Sequence, residues 1–338
     1  NDSRLSQAAL ECLKKEGLGA GASRLVCGNM TAHQELEEKL ARFKGSQGCL
    51  LFSSGYMANV GVISSLFGRD DMIFCDRLNH ASIIDGILLS QAQYKRYPHV
   101  DMDALDRLLQ EAPATGKKCI ITDSVFSMDG DLAPLDKIVE LAKKYQAIVM
   151  IDEAHAFGVF GKHGKGLAEH FGVEKEIEIQ MGTLSKAAGC FGAYVCGSRD
   201  LITYLINQAR SFIYTTAMPP SIAAAAAKAI DIIENDHFTR ERLHENARYL
   251  RAQLKLMGFN TVISESPIIP LVIGESHRAL EFSQRLLRKG IFVSAIRPPT
   301  VPEHTARLRL TAMAAHTKDE IDFTLGQIQR IGKELKII

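Results

Sequence analysis

Two stretches of the chain share one plan. Ile148-Val149-Met150-Ile151 is a short β-rich run that ends in Asp152-Glu153-Ala154-His155, and a second run, 177–181, ends in Gly182-Thr183-Leu184-Ser185-Lys186. Each delivers polar side chains at its C-terminal end. The same order recurs upstream. Cys49-Leu50-Leu51-Phe52 precedes a helical stretch at 57–67, Met72-Ile73-Phe74-Cys75 precedes one at 82–91, Gln93 to Tyr97 one at 101–111, and Lys118 to Thr122 one at 134–145. Regular β-then-α alternation predicts an α/β fold, a mainly parallel sheet covered by helices. Ligands of such sheets bind outside the carboxyl ends of the strands. An acid, a histidine, a threonine and a lysine are therefore expected to converge on one place.

The flanking regions read differently. Residues 3–15 form an amphipathic helix, and Gly17, Gly19, Gly21 and Gly28 mark an irregular loop. Thr31-Ala32-His33-Gln34 fits a capping box that opens the next helix. From about residue 237 the texture changes. A long charged helix is followed by β-like stretches at 261–263, 268–273 and 291–295, a helix at 276–289, and a closing helix at 318–335. Arg307-Leu308-Arg309-Leu310 alternates like a strand with both arginines on one face. With 338 residues, two domains are the natural expectation: a large one over 1–236 and a small α+β one over 237–338.

Composition narrows the partners. A net charge of +1 gives no electrostatic case for nucleic acid or an anionic membrane, and no apolar run approaches the roughly 18 residues needed to span a bilayer. Seven cysteines, an odd number without a C-x-x-C, suit free thiols in a reducing cytoplasm. The chain opens Asn1-Asp2-Ser3, with neither methionine nor a signal-peptide pattern, so its natural start is expected to be absent.

The strand-end residues suit pyridoxal phosphate (PLP). That cofactor needs a lysine to carry its aldehyde and an acid to keep its pyridine nitrogen protonated. Lys186 and Asp152 meet both needs; His155 could donate to the phenolic oxygen, Thr183 could bind the phosphate, and His80 has a flat ring suited to stacking on the pyridine. Ser53-Ser54-Gly55-Tyr56 opens a helix, and helix starts favour phosphate. Two other readings compete. Asp152-Glu153-Ala154-His155 also spells a helicase-type box, but no G-x-x-x-x-G-K-[ST] loop accompanies it. Asp152, His155 and His163 could hold a metal, although their spacing matches no closed zinc site.

Several segments together resemble one family. Gly21-Ala22-Ser23-Arg24 with Gly28-Asn29, His33 with Glu35-Leu36-Glu37, Ser54-Gly55-Tyr56 with Asn59, Asn79-His80-Ala81-Ser82, Val125 to Asp131, Asp152 to His155 and Thr183 to Lys186 resemble the α-oxoamine synthases. These are PLP-dependent transferases of fold type I, the aspartate-aminotransferase fold. The resemblance implies that Lys186 holds PLP, Asp152 pairs with its ring nitrogen, His155 with its phenolic oxygen, and His80 stacks on the ring. Gly55, Tyr56 and Thr183 would bind the phosphate, and Ser127 would contact the cofactor. A homodimer with a shared site is implied, with Thr215 and Thr216 reaching the partner subunit's phosphate. Arg309 would clamp an amino acid's carboxylate, with Asn29 also on the substrate side, and Thr300 and Arg297 would touch the acyl substrate. Within the family, 212–220 and 295–302 are most similar to the member that joins L-alanine to a pimeloyl thioester, carried by coenzyme A or a carrier protein. Glycine C-acetyltransferase is the rival inside the family. A PLP-binding subunit without catalysis is the rival outside it, and the presence of Lys186, Asp152 and His80 speaks against that. The family's N-terminal segment, with an arginine near the acyl substrate, is expected to lie outside this sequence, and Asp123 stands where relatives often carry glutamate.

Overall fold

The apolar runs pair into one seven-stranded sheet: β1 (Gly48–Phe52), β2 (Met72–Asp76), β3 (Gln93–Tyr97), β4 (Lys118–Asp123), β5 (Ile148–Asp152), β6 (Ile179–Thr183) and β7 (Ala193–Gly197), in the order β1-β7-β6-β5-β4-β2-β3. The computed structural model describes residues 2–113 and 115–338; Asn1 and Ala114 lie outside it. Contacts divide the chain into two units, Asn1–Val125 with Ala133–His237, and Phe126–Leu132 with Phe238–Ile338.

In the first unit β3, β2, β4, β5 and β6 run parallel. Each parallel step needs a crossover, and helices Ala81–Ser90, Met102–Gln110, Leu135–Tyr145 and Leu167–Phe171 sit in the corresponding connections. β7 is antiparallel to both neighbours. The link from β6 to β7, residues 184–192, holds no helix, so the chain turns straight back. Every residue of β2 and β6 is buried, as expected where helices cover both faces. The edge strand β3 instead exposes Gln93 to Arg96, and its Lys95 and Arg96 discourage further pairing.

A buried ion pair sits behind β5. Lys44, at the end of helix Thr31–Lys44, donates from Nζ to Glu153 Oε2 at 3.0 Å and to the Lys165 carbonyl at 2.5 Å. The other carboxylate oxygen of Glu153 accepts the Ala168 amide at 2.9 Å. Both side chains are at most 1% exposed. Gly166 closes this arrangement at φ +127°, and a Cβ there would fall 1.5 Å from Glu153 Oε2.

The second unit is a three-stranded antiparallel sheet, β8 (Ile268–Gly274), β10 (Ala306–Thr311) and β9 (Ser294–Ile296) in that spatial order. Leu308 and Leu310 of β10 join Leu250, Leu254, Phe282 and Ile328 in its core. The alternation of the strand turns Arg307 and Arg309 the other way. The mid-chain segment Phe126–Leu132 is stitched to this unit: the Glu265 and Ser266 amides both donate to the Gly130 carbonyl, at 3.1 and 3.0 Å. Gly130 has φ +72°, and a Cβ would fall 2.2 Å from the Ile268 carbonyl.

Three local expectations are corrected. Thr31 does not cap its helix: Met30 occupies the cap position, and His33 Nδ1 accepts the Met30 amide at 3.1 Å. The same imidazole bonds the Met218 carbonyl through Nε2 at 2.8 Å, which fixes the helix start one residue early. The loop after the first helix contains a π-helical turn, Arg24–Gly28. Residues 261–263 form no strand, because Val262 has φ +43° and its amide bonds Asn260 Oδ1 at 3.1 Å in a side-chain turn.

Removing one partner of a buried pair leaves an uncompensated charge. Lys44→Ala is therefore expected to lower unfolding free energy by about 3–5 kcal/mol, measured by urea denaturation against the unchanged protein.

Candidate active site

Because β2, β4, β5 and β6 run the same way, their last residues, Asp76, Asp123, Asp152 and Thr183, emerge along one edge of the sheet. Asp123 and Asp152 are direct neighbours in the β4–β5 register. Asp76 is committed to structure: it accepts the Leu78 and Val100 amides, both at 2.8 Å.

The two central acids are 5% and 4% exposed. Asp152 Oδ2 accepts Asn59 Nδ2 at 2.8 Å, and Oδ1 accepts the Ala154 amide at 2.8 Å. Burial raises the Asp152 carboxyl above the ordinary aspartate range, against the pull of those two bonds and of the Lys186 charge. Among the described residues, Asp123 Oδ2 accepts the His80 amide alone, at 2.7 Å. Burial and the adjacent Asp152 charge raise Asp123 well above the ordinary aspartate range. With two donors against one, Asp152 is the better held as an anion and Asp123 is pushed further toward its protonated form.

Asn59 reaches from helix Gly55–Leu66 and spans two partners, Asp152 Oδ2 and, at 2.9 Å, Ser82 Oγ. Its amide oxygen has no partner among the described residues, which costs about 1–3 kcal/mol. Ser82 Oγ in turn lies 2.7 Å from His80 Nδ1, and the Ser82 amide donates to that nitrogen at 3.2 Å. His80 thus caps helix Ala81–Ser90 while its ring stays exposed. Asn79 anchors the same turn, donating to the Ile121 carbonyl and accepting the Asp123 amide, at 2.7 and 3.1 Å.

The start of helix Gly55–Leu66 is open. Ser54 takes the Met57 amide on Oγ at 3.3 Å and the Ala58 amide on its carbonyl at 3.0 Å. The Gly55 and Tyr56 amides have no partner among the described residues, which is the arrangement that holds an anion. The Tyr56 hydroxyl donates to Asp85 at 2.7 Å. Thr183 donates to the Gly192 carbonyl at 3.0 Å and is bonded to Ser185 Oγ at 2.7 Å, so its proton is already used. Lys186 is exposed just beyond β6, and His155 is half-buried in the turn after β5. Thr215 and Thr216 lie in the segment after the short helix Arg210–Ile213; Thr216 is exposed. Asn29 accepts Arg24 Nε at 2.8 Å, and Arg24 is forked onto Glu37 at 3.0 and 2.8 Å, so Asn29 belongs to a structural cluster.

The remaining expected residues lie in the second unit. Arg309 donates from Nε to the Ser127 carbonyl at 2.6 Å and from Nη1 to Thr311 at 3.2 Å. No carboxylate pairs with it among the described residues, and burial alone pushes its guanidinium pKa down. Arg309 lines a cavity of about 580 Å³ with Ile291, Phe292, Val293 and Met313. Arg297 and Thr300 are exposed and joined to each other, Thr300 amide to Arg297 carbonyl, at 3.0 Å.

Three residues central to this geometry had no role in the sequence reading: Asn59, Ser82 and Asp123. The first two stand inside recognised motifs, but nothing in their spacing announces a link between them. A buried acid, a lysine acting on it and an open helix start fit a group with a basic ring nitrogen, an aldehyde and a phosphate.

Comparison with known proteins agrees. A family model for aminotransferase class I and II matches residues 1–328. A Geobacter sulfurreducens protein named 8-amino-7-oxononanoate synthase is 51% identical over 336 residues, 99% of this chain and 86% of that one. A solved structure of SPT with a PLP internal aldimine aligns with a TM-score of 0.97 at 37% identity, over 100% of this chain and 85% of its own. The 8-amino-7-oxononanoate synthase of Francisella tularensis aligns with a TM-score of 0.84 at 34% identity, over 99% and 94%.

The raised Asp123 carboxyl has a consequence for stability. A folded-state pKa above the unfolded value favours the folded state fully only below the unfolded value, and that contribution is lost as pH rises through the folded one. Asp123→Asn cannot ionise. Its stability relative to the unchanged protein is expected to improve steadily as pH rises from the ordinary aspartate value of 3.8, read by thermal unfolding across pH.

Proposed function

The chain belongs to the class I and II aminotransferase family, among its PLP-dependent α-oxoamine synthases, and from that premise we propose that it joins L-alanine to a pimeloyl thioester with loss of carbon dioxide. The observation that carries the reading is Asp152, a carboxyl group held at a buried strand end by two N–H donors, on which the charge of Lys186 acts. The choice of substrates rests on the half-identical relative. Its named product carries an amine beside a ketone, which is what decarboxylative joining of an α-amino acid to an acyl thioester leaves.

Lys186 would hold the cofactor by its aldehyde, Asp152 its ring nitrogen, His155 its phenolic oxygen, and Ser127 would contact it. The open amides of Gly55 and Tyr56 would take its phosphate, with Thr183 once that hydroxyl turns away from Gly192. When bound, PLP supplies an electron sink for charge developing at the substrate's Cα. Asp152, as an anion, would hold a proton at the ring nitrogen and so keep that sink effective. The Lys186 amine would serve as the base for the Cα proton. His80 would cover the ring and would offer a hydrogen bond to the oxygen of the thioester carbonyl as it gains charge. Arg309 holds the alanine carboxylate with the planar fork suited to it; the absence of a carboxylate partner leaves it available. Arg297 and Thr300 contact the acyl substrate, and Asn29 helps to shape the substrate side through Arg24. The working form is a cytoplasmic homodimer in which Thr215 and Thr216 reach the phosphate of the partner's site. The thiol that leaves belongs to coenzyme A or a carrier protein.

Pairing alanine or glycine with pimeloyl-CoA or acetyl-CoA tests the assignment. Alanine with pimeloyl-CoA is expected to turn over fastest, and preference for glycine with acetyl-CoA would overturn it. Lys186→Ala is expected to abolish turnover. Arg309→Ala removes a charge-assisted contact of about 1.5–3 kcal/mol, so KM for alanine is expected to rise about 10- to 100-fold; an unchanged KM rules out the carboxylate role.

A further inference from the structure

Donor counting around Ser82 fixes a feature of the site that neither the motifs nor the relatives' names specify. Ser82 is fully buried, and its hydroxyl has two side-chain partners, Asn59 Nδ2 at 2.9 Å and His80 Nδ1 at 2.7 Å. Asn59 must present its amino group rather than its oxygen to this side, because the same nitrogen lies 2.8 Å from the Asp152 carboxylate and an oxygen there would meet like charge. Ser82 Oγ therefore accepts from Asn59. Its own proton then has one acceptor left, His80 Nδ1. The Ser82 backbone amide, which can only donate, points at the same nitrogen from 3.2 Å. Both donors require a bare lone pair on Nδ1, so the ring proton is on Nε2.

We infer that Asn59 and Ser82 are positioning residues that read the charge on Asp152 and hold His80 as its Nε2–H tautomer, a hydrogen-bond donor toward substrate. The direction of the chain follows from one end. An ionised Asp152 accepts a hydrogen bond from the Asn59 amino group, Ser82 Oγ accepts a second from the same group, and the Ser82 hydroxyl donates to His80 Nδ1. If Asp152 held the proton instead, the amide could turn over, every bond could reverse, and Nδ1–H would face the Ser82 amide. The buried, unpartnered oxygen of Asn59 is the cost of the first arrangement. The His80 amide is meanwhile held by Asp123 at 2.7 Å, so backbone and ring are anchored to neighbouring strands. The inference rests on the reading of His80 as a donor in the proposed condensation; the tautomer itself does not depend on it.

The test uses the full chain with its cofactor bound, labelled with ¹⁵N-histidine and with the His80 signals assigned by their loss in His80→Gln. The expected spectrum at neutral pH has a protonated Nε2 and a bare Nδ1. Ser82→Ala is expected to give a mixture of tautomers and to lower kcat about five- to tenfold, with little change in KM for alanine. Ser82→Thr, which keeps the hydroxyl, is expected to restore both. Asn59→Ala is expected to disturb the His80 signals in the same sense as Ser82→Ala. A protonated Nδ1 in the unchanged protein overturns the inference, even if every variant fails to fold. So does a Ser82→Ala spectrum identical to that of the unchanged protein, or an unchanged kcat beside a changed tautomer. Absence of condensation in a protein with the expected spectrum defeats the proposed reaction and leaves the tautomer assignment intact.

Discussion

Two carboxyl groups buried side by side at the ends of β4 and β5 govern the large unit's local chemistry. Desolvation and mutual repulsion forbid both from ionising without compensation. The compensation is unequal. Asp152 receives an amide side chain and a backbone amide, while Asp123 receives one backbone amide. That difference separates the pair: Asp152 is the better held as an anion and Asp123 the more strongly pushed toward its protonated form. It also explains why elements from three connections crowd this strand edge: Asn59 comes from the helix after β1, His80 and Ser82 from the turn and helix after β2, and Ala154 from the turn after β5. Each donor is a contact that the charge on Asp152 requires.

The next residue along solves a different problem with the same chemistry. Glu153 is fully buried, and its neighbours are the Lys44 ammonium and the Ala168 amide. Its pairing with Lys44 ties the segment around Gly166 to helix Thr31–Lys44, away from the reacting groups. A pair of adjacent acids thus serves two ends: Asp152 faces the site and Glu153 holds the scaffold that carries it. From sequence the two look interchangeable, since both are carboxylates within one motif. Only the positions of Lys44 and Asn59, each about a hundred residues upstream, separate their roles.

This marks the boundary of what the chain discloses without coordinates. Hydrophobic runs with polar ends are local signals, and they placed β2, β4, β5 and β6 and the strand-end residues Asp152, Thr183 and Lys186. The mainly parallel sheet was legible for the same reason. The reversal of β7 was not read out, because the antiparallel step is set by a helix-free link rather than by the strand itself. Residues Phe126–Leu132, which group with the second unit, carry no compositional mark, and the bonds that hold them come from residues far downstream such as Glu265 and Ser266. Thr31 illustrates a local rule defeated by a distant one: its capping pattern is sound, but His33 is drawn to the Met218 carbonyl and moves the helix start.

Arg307 and Arg309 make the same point within the second unit. They alternate with core leucines on one strand and face the same way, so periodicity cannot choose between them. The structure distinguishes them by their partners. Arg307 is paired with Asp129, whereas Arg309 meets a carbonyl and a hydroxyl, no carboxylate among the described residues, and lines a cavity. A guanidinium satisfied by an acid is part of the frame. One that is partly desolvated without an acid retains its attraction for a carboxylate, and the loss of water around it strengthens that attraction. The same accounting that separates Asp152 from Asp123, asking which charges are already answered, therefore picks out the arginine able to bind an anion.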